Sequence, residues 1–184
     1  VSICGHKFYG PKGSGALFIK SPLLLDPILF GGSHENERRA GTENIVAIAG
    51  FVLAIERFIS TPVFDRSLLS PLTSRLASFC SLSGVNLVCP SASRLANTCS
   101  FTVPGIDSIT LLAALDLNGF CVSAGSACSA GSLNASHVLT ALGMTKKEAN
   151  SLVRISVGRE TTGEEIDLFL TRFPVILDQI RNNE

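Results

Sequence analysis

The sequence has no tryptophan, one tyrosine and one methionine. Charge is scarce as well. Asp, Glu, Lys and Arg make up 16% of the 184 residues, against about a quarter in an ordinary globular chain. Neither sign is in surplus, with 15 basic and 15 acidic residues, and the lack of a clustered basic excess argues against nucleic acid as a partner. The six cysteines (Cys4, Cys80, Cys89, Cys99, Cys121 and Cys128) contain no CxxC pair. A secreted disulfide scaffold is shorter and denser in cysteine, so the reading is reduced thiols in an intracellular compartment, the cytoplasm or an organelle. His6, His34 and His137 do not stand at zinc-ligand spacing from any cysteine pair, so no metal site is expected. The longest apolar run, Ile45–Ile55, has 11 residues, and a bilayer span needs about 20. It reads as a buried helix, with no membrane association expected.

Hydrophobic residues reach 46%, enough for a real core in one sizeable domain or two small ones. With so little charge, part of the surface is expected to be covered by another chain or by protein outside this sequence. The chain opens on Val1 with no signal peptide and runs straight into motifs, which reads as a missing beginning.

Gly10–Gly15 is turn chemistry, followed by an apolar strand at Ala16–Ile19. Pro22–Phe30 is apolar and ends on Gly31-Gly32. Thr42 reads as an N-cap, and Ile45, Ile48, Ala49, Val52 and Ile55 give a helix to about Ser60. Thr61-Pro62 marks a domain junction, giving domains 1–60 and 61–184. Leu68, Leu69, Leu72, Leu76 and Phe79 predict an amphipathic helix over Asp65–Leu82. Short strands are expected at Val85–Val88, Asn97–Val103, Phe120–Ser123 and Leu152–Val157. Helices are expected at Asp107–Leu117, Ser136–Leu142, Lys146–Asn150 and Glu164–Ile180. Alternating strands and helices without a repeat give an α/β or α+β class.

Four places carry chemistry. Gly5-His6-Lys7 sits in a glycine-rich turn of the kind that holds a covalently acting lysine, though His-Lys pairs are commonly basic surface loops. Thr42 offers a hydroxyl where helix amides favour an anion, or is a plain cap. Cys128 stands among small residues in Ser123–Leu133, which reads as a mobile, exposed loop where a thiol can be reached. On composition alone a structural cysteine is the more natural reading there. The other five cysteines read as inert core. Arg154 interrupts an apolar strand; it either faces water from an edge or clamps a carboxylate bidentately.

The string Gly-His-Lys-Phe-Tyr-Gly-Pro-Lys-Gly-Ser-Gly-Ala-Leu from Gly5 resembles the cofactor-lysine segment of NifS-type (group I) cysteine desulfurases, pyridoxal-phosphate enzymes of the class V aminotransferase family. Gly31–Asn44, Gly125–Leu133 and Arg154–Arg159 resemble further motifs of that family, in its order. The resemblance implies a PLP-dependent transferase fold (aspartate aminotransferase-like, fold type I), with a partial large domain over 1–60 and a small C-terminal α+β domain over 61–184. It makes Lys7 the catalytic lysine that binds pyridoxal 5'-phosphate, with His6, Cys4 and Thr42 on the cofactor phosphate, Thr42 from across a homodimer interface. The family usually has Ser where Cys4 stands. Cys128 becomes the sulfur-accepting cysteine, Arg154 the clamp for the substrate carboxylate, and Asn97 a second substrate-binding position, or a turn residue. Arg159 is read as structural.

The implied reaction takes L-cysteine to L-alanine and leaves a persulfide on Cys128, for an iron–sulfur scaffold or another sulfur-acceptor protein. In this family the cofactor lysine lies near mid-chain, so a C-terminal half, inactive alone, is expected. A selenocysteine lyase, or a non-catalytic scaffold subunit that lost the cofactor half, are the alternatives.

Overall fold

Glycines and prolines fold the first residues into a hairpin. Strand β1 (Ser2–Cys4) runs antiparallel to β2 (Gly15–Leu17), with Ile3 opposite Ala16. Between them a 3-10 turn, Gly5–Phe8, ends on Tyr9 in the left-handed region (φ 65°). The Gly5 amide donates to the Ser14 carbonyl at 3.1 Å and the Gly10 amide to the Gly5 carbonyl at 2.9 Å. A Cβ on Gly10 would itself lie 2.9 Å from that carbonyl oxygen, so the turn closes only with glycine there. This computed structural model describes residues 1–62, 64–125 and 135–182. The chain divides into two units, residues 1–63 and 64–184.

In the first unit, a short helical turn, α1 (His34–Glu37), contains left-handed backbone at Glu35 and Asn36. Helix α2 (Ile45–Ser60) follows, and its N-cap is Asn44, whose Oδ1 accepts from the Ala47 amide at 3.1 Å. Thr42, expected as the cap, lies two residues too early: the amide that needs an acceptor is three residues beyond Asn44. The expectation of a buried helix holds on one side only. Ala47, Phe51 and Ala54 are buried, while Ile45, Val46 and Leu53 are exposed. Phe51 packs on Phe8 with ring centroids 5.6 Å apart, and Gly50 lets Pro11 approach so closely that a Cβ would lie 2.9 Å from its Cγ. A hairpin and one turn cover a single side of a helix. Leu24, Ile28 and Phe30, in the apolar stretch before α1, are likewise exposed.

The second unit is a three-stranded antiparallel sheet in the order β3–β4–β5 (Asn86–Leu87, Thr98–Thr102 and Leu152–Ser156). Alternation sends Cys99, Phe101 and Val103 of one strand, and Val153, Ile155 and Val157 of the next, into one core. Three helices supply the other side of that core: α3 (Arg66–Leu82), α4 (Ser108–Leu117) and, last in the chain, α7 (Gly163–Asn182). Phe173 is fully buried at its centre, with the Phe169, Phe101 and Phe79 rings at 5.0, 5.6 and 6.1 Å. Each such side chain contributes roughly 1.5–3 kcal/mol by leaving water. An Arg75–Asp167 ion pair ties α3 to α7. Two short helices, α5 (His137–Ala141) and α6 (Lys146–Ala149), pack Leu139 and Ala149 against Leu152, on the other face of the sheet from the main core.

Three expectations fail here. Phe120–Ser123 is not a strand. Gly119 turns the chain with φ 83°, the Phe120 amide caps α4 by donating to Leu115 O at 2.9 Å, and Ser123 alone meets the sheet, as a bridge to Arg154. Leu68 is exposed rather than on the buried side of α3. Of the five cysteines expected in the core, only Cys80 and Cys99 are buried; Cys4, Cys89 and Cys121 are exposed, because they end strands or lie in loops.

Candidate active site

Cys4, His6 and Lys7 are brought together by one piece of backbone. Cys4 ends β1 and stands at the N-cap of the 3-10 turn, making no side-chain cap hydrogen bond, and His6 and Lys7 occupy the turn itself. Lys7 and His6 are exposed, whereas Gly5 beneath them is buried. A Cβ on Gly5 would meet Phe51 Cδ2 at 3.0 Å and Pro11 O at 3.1 Å, so the turn lies flat on α2 and holds the lysine on its outer side. The Ser14 hydroxyl is buried beside Gly5 without a hydrogen-bond partner among the described residues. Thr42, in the same unit, is exposed in the segment between Gly41 (φ 107°) and the Asn44 cap.

Arg154 lies in β5 between two backbone neighbours. It pairs with Ser100 of β4 on one side; on the other its amide donates to Ser123 O at 2.6 Å and its carbonyl accepts from the Ser123 amide at 3.1 Å. It is therefore not on a bare edge. By alternation its side chain leaves the sheet opposite Val153 and Ile155, away from the main core. The Nε is buried and has no hydrogen-bond partner among the described residues. A buried guanidinium donor without an acceptor is costly, and the group that best satisfies it is a planar anion such as a carboxylate.

Asn97 is half-buried in the turn before β4. Its carbonyl accepts from the Val157 amide at 2.9 Å, closing the end of the β4–β5 pair, and its Oδ1 accepts from the Thr98 hydroxyl at 3.2 Å. Both contacts are those of a turn residue. Cys128 lies outside the described residues. No group of three or more His, Cys, Asp or Glu capable of holding a metal occurs among the described residues, and no helix there is long and apolar enough to cross a membrane. Sequence reasoning missed Ser123 as the neighbour that fixes Arg154: the expected strand Phe120–Ser123 contains it, but nothing in that pattern names its partner.

The chain is 38% identical over 190 aligned residues to the cysteine desulfurase IscS of Clostridium botulinum, an alignment covering 98% of this chain and 47% of that protein. It is 36% identical to the cysteine desulfurase NifS of Azotobacter vinelandii, over 99% of this chain and 46% of that one. Among solved structures, a NifS-like protein from Rickettsia africae superposes with a TM-score of 0.84 at 34% identity, covering 96% of this chain and 47% of its own. The chain thus spans about half the length of the relatives it matches. Their mixed α/β fold is that of this chain, and the class-V aminotransferase model matches residues 1–169. The chain belongs to the class-V aminotransferase family.

Proposed function

We propose that the whole protein is a pyridoxal-phosphate-dependent cysteine desulfurase that converts L-cysteine to L-alanine and takes up the sulfur on Cys128. The observation that carries this reading is the 38% identity sustained over 98% of the chain with a protein named as a cysteine desulfurase. On this reading residues 1–60 belong to the large cofactor-binding domain and 61–184 form the small one, and the whole protein works as a homodimer in a reducing compartment.

The residues of the Lys7 turn fit the cofactor. An exposed primary amine is what an aldehyde needs, and the His6 imidazole and Cys4 thiol beside it can donate to a phosphate. Thr42 adds a hydroxyl, and as an exposed residue it is available to a second subunit. Once bound, the cofactor ring supplies an electron sink for the substrate carbon. Lys7 holds the cofactor and moves the proton at the substrate Cα. Arg154 fixes the substrate carboxylate with the guanidinium donor that has no partner among the described residues, and Asn97 keeps the end of the β4–β5 pair in place. The Cys128 thiolate attacks the substrate sulfur, forms an S–S bond as the C–S bond breaks, and is left as a persulfide for an iron–sulfur scaffold or another acceptor protein.

The test is alanine release from L-cysteine by the full-length, cofactor-loaded protein, with Cys128→Ser alongside. Release that stops in the variant supports the reading. A wild-type protein that releases no alanine overturns it.

A further inference from the structure

Arg154 does not stand alone on its face of the sheet. Directly opposite it lie Ser100 of β4 on one side and Ser123 on the other. Residues opposite one another in an antiparallel pair share a face, with their Cβ atoms about 5 Å apart. Ser123 exchanges both backbone hydrogen bonds with Arg154, at 2.6 and 3.1 Å, which fixes it beside the arginine stem. Beyond Ser100 the row reaches Val88, whose amide donates to the Ser100 carbonyl at 2.9 Å. Val88 packs with Leu139, Ala149 and Leu152, so that side of the face is apolar. Hydroxyls occupy the rest: Ser100 and Ser123 in the row of the arginine, Thr98 and Ser156 in the next. Strands favour β-branched and aromatic residues, and packing alone does not select a serine on each side of one arginine.

We propose that the substrate carboxylate lies along the Nε edge of Arg154, close to the sheet, and that Ser100 and Ser123 are further substrate-binding residues whose hydroxyls donate to it. The identity of the ligand rests on the desulfurase reading; the carboxylate site itself does not depend on the reaction. A serine hydroxyl sits one bond beyond Cβ, level with the stem of a neighbouring arginine and not with its tip. The guanidinium nitrogen nearest that stem is Nε, the buried donor with no hydrogen-bond partner among the described residues. Neither half-buried serine hydroxyl accepts from it, so both are left to donate to what Nε binds. One carboxylate oxygen takes the Nε hydrogen and the other an adjacent Nη hydrogen, the bidentate geometry of a planar fork. Each oxygen keeps a second lone pair for a hydroxyl. An anion held at the tip by the two Nη atoms would lie beyond the serines and would leave Nε without an acceptor.

The experiment has two arms. In the full-length, cofactor-loaded protein, alanine release is followed against L-cysteine concentration for Ser100→Ala, Ser123→Ala and the double variant. Each substitution is expected to raise KM roughly threefold to tenfold, with most of the change in KM rather than kcat. Ser100→Thr and Ser123→Thr, which keep the hydroxyl and suit an extended chain, should restore it. In the cofactor-free full-length protein, the NMR signal of the Arg154 Nε–H group, assigned by its loss in Arg154→Lys, is titrated with sodium acetate against sodium chloride at equal ionic strength. It should move with acetate alone, and the double alanine variant should need several-fold more acetate to move it halfway. An Nε signal that ignores acetate overturns the proposal, as do threonine variants that behave like alanine. A double alanine variant with unchanged KM and acetate midpoint also overturns it, and leaves the desulfurase reading standing if Arg154→Leu still raises KM. A wild-type protein that releases no alanine, yet whose Nε signal follows acetate and depends on both serines, would remove the desulfurase reading and keep the carboxylate site.

Discussion

Arg154 keeps its Nε out of water with no acceptor among the described residues, and that cost is recovered when an anion binds. A charged hydrogen bond of this kind is worth about 1.5–3 kcal/mol. On the proposed function, Arg154→Leu in the full-length protein is therefore expected to raise KM for L-cysteine roughly tenfold to a hundredfold. Arg154→Lys recovers little of it, because a point ammonium cannot reproduce the planar fork. Steady-state alanine release against cysteine concentration reads the effect; a KM unchanged in both variants would remove the carboxylate role. Asp107 illustrates a different kind of residue, one that acts on folding. Its carboxylate accepts from the Ile109 and Thr110 amides at 2.9 and 3.0 Å and caps α4. The Thr110 hydroxyl, more than any other contact, holds it below the usual carboxylate range. A group lowered in the folded state stabilises fully above the unfolded value, about pH 4, and loses that contribution as pH falls through the folded value. Asp107→Ala should cost about 1 kcal/mol near neutral pH. Asp107→Asn should keep most of the cap and flatten the acid side of a plot of urea midpoint against pH. An acid limb identical to that of the parent would show that the charge contributes nothing.

Among the elements, those that follow from a strong local pattern were legible and those that depend on contacts were not. The helix over Arg66–Leu82 is signalled by its leucines and by Asp65, and the β4–β5 pair by alternation into one core. Strand β1, three exposed residues long, has no pattern of its own and exists because β2 pairs with it. The strand expected at Phe120–Ser123 is lost because its first amide is used to cap α4. Of the candidate site, the residue types and motifs were legible. The flat seat of the Lys7 turn on α2 and the bridge from Ser123 to Arg154 were not, since both depend on backbone approach rather than on side-chain pattern. That dependence is testable. A Cβ at position 15 would lie 2.5 Å from the Ile3 carbonyl oxygen, and one at position 10 would lie 2.9 Å from that of Gly5. Gly15→Ala and Gly10→Ala should each destabilise the first unit by roughly 1–3 kcal/mol. In the full-length protein they should weaken cofactor retention, read as the absorbance that survives gel filtration. Gly13→Ala is the contrast: nothing lies within 4 Å of its Cβ, and the penalty comes from its left-handed backbone alone.

At the scale of the whole molecule the two units differ in how much they bury. The second has a core from three helices and a sheet, closed around Phe173, with caps on its helices and an ion pair between α3 and α7. The first unit has Ala47, Phe51 and Ala54 behind a hairpin and a turn, and it leaves Leu24, Ile28, Phe30 and Val46 more than 80% exposed. Local opening free energy follows buried contact. Hydrogen exchange on the 184-residue chain should therefore find the amides of β4, β5, α4 and α7 slowest, and those of the hairpin and α2 exchanging faster by roughly a hundredfold or more, a gap of about 3 kcal/mol. Phe173→Ala should lower the protection of the second unit by roughly 3–5 kcal/mol and leave the first unit's exchange unchanged. Equal, slow exchange across both units would mean that the apolar surface of the first is covered in solution. A chain that covers it with a second copy of itself would then sediment at twice its 19.4 kDa and exchange faster on dilution.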